Sequence, residues 1–334
     1  MPTRAARRPA RFRHAAPLTR RGARRRWRLG AGALAALLAF AGCATRPAEP
    51  PPAPESLLLT DYSTWFAADI AANRALLEYL LDELDADLGG VLDRTARLVG
   101  GVRLLPGAPV EISAVAAGSF PRGSVQFALT TARDFDRRTA RVDGRRSVYF
   151  REREGTLQLA LPRSDYLYLS SGRVLDMLRD RPPAELDLRP PVYESLRAVG
   201  TSGGPDLLVL FDEPGAGLLE SLGVEAGRLP LRAISLSVTN RDDVGAAATA
   251  AADGPAELEL GGVLELRSER DAALFGRIGR VFVVVFVRSL GLDSEAIQRE
   301  VAIDVEGSSV VFSDIPMRRA QLVRAIQRLS GAAP

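Results

Sequence analysis

The chain contains no lysine: all 44 basic residues among its 334 are arginine. It has one histidine, His14, and one cysteine, Cys43. The missing amines exclude a Schiff-base lysine and a phosphate-loop lysine. A single cysteine excludes any disulfide within the chain. Residues 43–334 hold no histidine, so the usual zinc, haem and iron–sulfur ligand sets have no donors there, and the Ser-His and Cys-His nucleophile pairs have no base. Oxygen chemistry remains: a carboxylate pair of the glycosidase kind, or a calcium or magnesium site. Asp85-Ala86-Asp87-Leu88-Gly89 has the alternating acids of a calcium loop. It lacks a third acid before the glycine and the distal glutamate, so an acidic helix end stopped by glycine accounts for it. No cofactor, no metal site and no catalytic residue is expected.

Acids are the second absence. Residues 1–42 hold eleven of the 44 basic residues and none of the 41 acidic ones. The whole chain has a formal net charge of +3, but residues 43–334 carry 33 basic against 41 acidic residues, a net of −8. Nucleic-acid binding requires clustered positive charge, which this balance argues against.

Arg4 to Arg28 form a positive region, Leu29 to Ala41 an apolar stretch of 13 residues, and Phe40-Ala41-Gly42-Cys43 follows. The apolar stretch is shorter than the roughly 20 residues a spanning helix needs. This arrangement resembles a bacterial lipoprotein signal: Ala41, Gly42 and Cys43 fit the lipobox pattern, while Phe40 stands where leucine is usual. The resemblance implies cleavage between Gly42 and Cys43, lipidation of Cys43, and a membrane partner engaged through that lipid. Cleavage after Ala39-Phe40-Ala41 by the ordinary signal peptidase, or an uncleaved anchor, stay open. Thr19-Arg20-Arg21 resembles a twin-arginine export signal without its hydrophobic continuation, so the export route is open too. Ala44 in place of aspartate leans toward an outer-membrane location facing the periplasm, with the inner membrane or cell surface as alternatives.

Residues 43–56 carry five prolines and read as an extended spacer. The remainder divides into 57–180, a loop-rich linker at 181–205, and 206–330. The expected fold class is α+β: two tandem β-α-β-β-α-β-β-α pseudo-repeats forming a mainly antiparallel sheet, with helices packed on one face. In the first half we expect a strand at 57–60, a helix at 73–88 with a leucine stripe, a short helix through 91–99, strands at 102–105 and 110–120, a helix from Pro121 to Phe135, and a meander over 148–170. In the second we expect strands at 206–211, 231–238 and 257–267 with a bulge at Gly261-Gly262. A helix capped by Ser268 and Asp271 follows, then a hairpin at 301–313 and a last helix from Pro316.

Several segments are candidate sites. Asp212-Glu213-Pro214-Gly215-Ala216-Gly217 follows a strand, but Glu220 stands where a dinucleotide fingerprint needs glycine, so a plain β-to-α turn is expected. Val281 to Val287 is apolar on every side and reads as a core helix, with a β-strand or the lining of a lipid-binding cavity as the alternatives. Tyr149, Tyr166 and Tyr168 alternate on neighbouring strands, the pattern of packing beneath a sheet edge, with stacking on sugar or peptide as the alternative. Arg133 to Arg153 holds eight arginines and four acids. A solvated helix end and loop is the expected reading, and Arg137, Arg138, Arg141, Arg145 and Arg146 are the alternative, a candidate patch for an anionic partner such as lipid headgroups or a polymer phosphate. The leading functional expectation is a lipid-anchored, non-catalytic envelope protein that binds another envelope component as a scaffold or assembly factor. A carboxylate-based glycan hydrolase and a periplasmic carrier of lipid or another hydrophobic ligand are the alternatives.

Overall fold

The computed structural model describes residues 51–74, 76–78, 89–103, 110–179, 188–214, 230–240, 258–289 and 301–329. Cys43, Gly42 and the Asp85–Asp87 segment lie outside them.

Twelve strands form one sheet: β1 (Thr64–Asp69), β2 (Thr95–Arg103), β3 (Glu111–Gly118), β4 (Phe135–Val142), β5 (Arg145–Glu152), β6 (Gln158–Arg163), β7 (Tyr166–Ser170), β8 (Leu207–Asp212), β9 (Leu231–Asn240), β10 (Leu258–Leu266), β11 (Ala302–Glu306) and β12 (Ser309–Met317). Their order is β11-β12-β10-β9-β8-β1-β2-β3-β7-β6-β5-β4, with every pairing antiparallel. The β1–β8 pair joins the strands that precede residue 180 to those that follow residue 205. Among the helices fully within the described residues only one is long: α1 (Gly89–Leu92), α2 (Arg122–Thr131), α3 (Val174–Met177), α4 (Pro190–Ala198), α5 (Glu269–Ser289) and α6 (Arg319–Leu329).

This corrects the expected fold class. The sheet dominates, and helices cover both of its faces rather than one. The cause lies in the central strands, whose sequences TWFAAD, EISAVAAG, YLYLS and LLVLFD are apolar at consecutive positions. A strand that is apolar on both sides must be covered on both sides. On the front face, β6, β7, Phe120 and Phe150 form one cluster with Val125 and Leu129 of α2. At the other end of the same face, β9, β10 and β12 pack Phe275 and Val283 of α5 and Leu322 and Val323 of α6. On the back, Trp65, Val99, Val115 and Tyr168 face Val174, Met177, Val192 and Leu196 from α3 and α4. Farther along that back face, β10 alternates buried leucines with partly exposed Glu259, Gly261, Val263 and Glu265.

Other differences are local. The first segment folds as a 3₁₀ turn, Pro54–Leu57, and the first strand starts later, at Thr64. Tyr166 Oη donates to the Pro52 carbonyl, and Arg97 lies 3.7 Å from the buried Glu55 carboxylate, so the end of the proline-rich segment is pinned to the back face. The expected helix to Phe135 ends at Thr131, and β4 replaces its last turn. The short helix through 91–99 gives way to β2 at Thr95. Residues 190–198, expected as linker, form α4 with Pro190 and Pro191 in its first turn, where a missing N–H costs nothing. A register shift falls at Gly261-Gly262, but the extra residue is on β12, where Asp314 has φ 63°, and β10 keeps its register with β9 there; the α5 cap is as expected: Ser268 Oγ accepts from the Asp271 N–H at 3.1 Å and donates to its carboxylate at 2.7 Å. β12 continues to Met317, so the last helix begins at Arg319 rather than at Pro316.

Candidate ligand cavity beneath a surface helix

Helix α2 buries none of its residues. Its Phe127 is 71% exposed on the outer side, and only Val125 and Leu129 reach down to the sheet. A surface helix usually closes on its support through a continuous apolar stripe; this one spans a gap instead. Beneath it lies a cavity of about 390 Å³, lined by Val91, Phe120, Val125, Ala128, Leu129, Phe135, Leu157, Leu159, Leu167 and Leu169 together with Gly90. Arg94 and Ser124 are the two polar residues of the lining. The volume falls within the roughly 300–1,000 Å³ of small-molecule sites, and the balance of many apolar groups with few polar ones is theirs as well. Leucines from β6 and β7 form its floor and α2 its roof, an apolar cleft that stays partly open to solvent.

A second, more polar pocket of about 180 Å³ lies next to it. Residues 149–151 of β5 pair with residues 158–160 of β6, but the ladder stops there. Pro162 has no N–H to continue the ladder, and β6 shifts register against β7 between Ala160 and Arg163. Residues 145–148 of β5 therefore splay away from 161–162 of β6. The gap is lined by Arg122, Val142, Asp143, Arg145, Arg146, Ser147, Val148, Leu161, Pro162 and Leu178.

The arginines singled out in the sequence all fall on the β4–β5 hairpin, but on two faces. Arg137, Arg141 and Arg146 share a face with Phe150, whereas Arg138 and Arg145 lie on the opposite face with Tyr149. Arg138 and Arg153 both pair with Asp136, each at 3.0 Å. Among the described residues no carboxylate pairs with Arg137, Arg141, Arg145 or Arg146. Sequence reasoning missed Arg122, Leu159 and Leu161, because β6 and α2 meet the hairpin only through the fold. One local signal was available: Asp143-Gly144 between apolar-containing strands is the signature of a two-residue hairpin, and both residues have positive φ, 48° and 78°.

The remaining candidates have structural roles where the described residues reach them. Tyr166 and Tyr168 are buried in the back-face cluster, against which Tyr149 packs. The Tyr62 hydroxyl donates to Ser113 Oγ at 2.7 Å, and Ser113 Oγ shares a hydrogen bond with Ser170 Oγ at 2.8 Å, a satisfied network inside the core. In α5, Phe275 and Val283 face the core while Val281 is 68% exposed; the side chains of 278, 282 and 285–287 lie outside the description. The cavity is thus at the far end of the sheet from α5. Asp212 and Glu265 both register against Ala233, two strands apart, and Arg189 binds both. Neither cavity is lined by two carboxylates. Among the described residues no group of three metal-ligating side chains converges, and no helix is long and apolar enough to cross a membrane.

No protein-family model matches the sequence, and no curated protein matches it. Among solved structures, crystal form I of TP0453 is similar, at 17% identity and a TM-score of 0.56, covering 84% of this chain and 98% of that one. Crystal form III gives 17% identity, 0.54, and coverage of 83% and 99%. Crystal form IV gives 18% identity, 0.53, and 82% and 96%. The likeness spans nearly the whole of TP0453 and shows a shared fold.

Proposed function

We propose that this chain is a lipid-anchored protein of the cell envelope, held at Cys43, whose folded body binds a hydrophobic ligand without transforming it. The observation that carries this reading is the apolar cavity of about 390 Å³ beneath α2, roofed by a helix with no buried residue of its own. The lipobox-like tetrapeptide supports the anchor, and the absence of histidine and lysine from residues 43–334 supports a non-catalytic role. The N-terminal lipid tethers the protein to a membrane, most simply the outer membrane on its periplasmic side, and the cavity exchanges ligand with that surface.

Two measurements test the two parts. Cys43→Ala in the full chain is expected to move the protein from the membrane to the soluble fraction; full retention in the membrane contradicts lipidation. Leu129→Trp, which fills the cavity from its roof, is expected to weaken binding of an apolar fluorescent probe by about tenfold or more at an unchanged urea midpoint. Probe binding equal to that of the wild type contradicts the cavity reading.

A further inference from the structure

The cavity and the arginine-lined gap are neighbours built from the same elements. Leu159 of β6 lines the cavity and Leu161 lines the gap. Two residues along a strand are about 7 Å. Helix α2 lines both as well: its first residue, Arg122, belongs to the gap, while Val125, Ala128 and Leu129 roof the cavity. Three arginines, Arg122, Arg145 and Arg146, line the gap, with Asp143 as the one acidic residue among its lining. This local excess of positive charge stands in a chain whose residues 43–334 sum to −8. Among the described residues those three guanidiniums have no carboxylate partner. The splayed strand adds open backbone, since the groups of residues 145–148 that do not bond to β4 have no strand opposite them.

We infer that the ligand is a single-chain anionic amphiphile: its acyl chain fills the cavity under α2, and its carboxylate or phosphate is held in the gap by Arg122, Arg145 and Arg146. The volume suits one chain better than two. At about 30 Å³ per water-sized group, the cavity holds on the order of a dozen methylenes, one chain rather than two. The charges fix the head. A planar guanidinium matches an oxyanion with two parallel hydrogen bonds, and three of them beside the apolar side chains of Val142, Val148 and Leu161 favour an anion over a neutral hydroxyl. The inference rests on the cavity reading above and adds the head group to it.

The test uses the full chain purified from membranes, delipidated, and titrated with three probes: a fourteen-carbon fatty acid, the corresponding alcohol, and a lysophospholipid with a phosphate head and the same chain. At least one anionic probe is expected to bind about tenfold or more tighter than the alcohol. The triple variant Arg122→Gln, Arg145→Gln, Arg146→Gln is expected to reduce that probe to the affinity of the alcohol while leaving alcohol binding and the urea midpoint unchanged. Preference for the lysophospholipid identifies a membrane lipid as the source, and preference for the fatty acid a free acyl anion. Equal affinity of wild type for all three overturns the head-group assignment and leaves the cavity standing. Binding of none of them removes the cavity reading itself. A charge preference that persists in the triple variant overturns the role of these arginines.

Discussion

At the level of single residues, the sheet is held by close approaches that tolerate little change. A Cβ added at Gly100 would lie 2.2 Å from the Phe66 ring and 2.7 Å from the Ser113 carbonyl oxygen. Gly100→Ala is therefore expected to cost about 1–3 kcal/mol in urea unfolding. Phe66→Leu should relieve only part of this, because the backbone contact remains. Tyr62 offers a pH test. It is 6% exposed, its ring makes an edge contact with Trp65 at 5.8 Å, and Arg173 lies 5.7 Å over it. Burial raises its phenol pKa above the ordinary 10.0, against the Ser113 hydrogen bond and the Arg173 charge, which lower it. The folded state thus favours the neutral phenol. Its contribution is complete below pH 10 and is lost as pH rises through the higher folded value. Burial raises Tyr166 in the same direction, so the comparison must be between variants. Between pH 9 and pH 12, the wild type is expected to lose more stability than Tyr62→Phe; equal losses would show that Tyr62 does not titrate abnormally.

At the level of elements, the β4–β5 hairpin shows what was legible and what was not. β10 was readable because Leu258, Leu260, Leu264 and Leu266 alternate with polar or small residues, and burial follows that alternation. Helix α5 was readable from its cap. β4 was not, because FDRRTARV puts arginine on both of its faces and offers no apolar period. Its pairing with β5 supplies the order that its own side chains do not, and Asp143-Gly144 supplies the turn. Gly144 has φ 78° with nothing within 4 Å of where a Cβ would stand. Gly144→Val therefore isolates the backbone cost, expected at about 1–2 kcal/mol without a steric contribution. The variant should also weaken ligand binding, since Arg145 and Arg146 follow the turn. Helix α4 was hidden by its prolines, which read as a linker until Val192 and Leu196 are seen against the back face.

For the whole molecule, the two-sided cover is the organising fact. The back-face cluster draws Leu58, Trp65, Val115 and Tyr168 from one part of the chain and Leu196, Leu208 and Leu210 from the other. Residues 57–180 expressed alone would expose the β1 edge and lose the α4 cover. That fragment is expected to be insoluble or to lack a cooperative urea transition, whereas 51–334 is expected to show one. The candidate site was illegible for the same reason: its leucines come from β6 and β7, its roof from α2 and its cations from α2 and a hairpin, and only the sheet order brings them together. The sequence did single out an arginine cluster, of which Arg145 and Arg146 line the gap. The most direct test of the account is mass spectrometry of small molecules extracted from the full chain purified out of membranes. About one single-chain anionic amphiphile per protein is expected in the wild type, and its loss from Leu129→Trp. An empty wild type, or a ligand retained equally by Leu129→Trp, would contradict it.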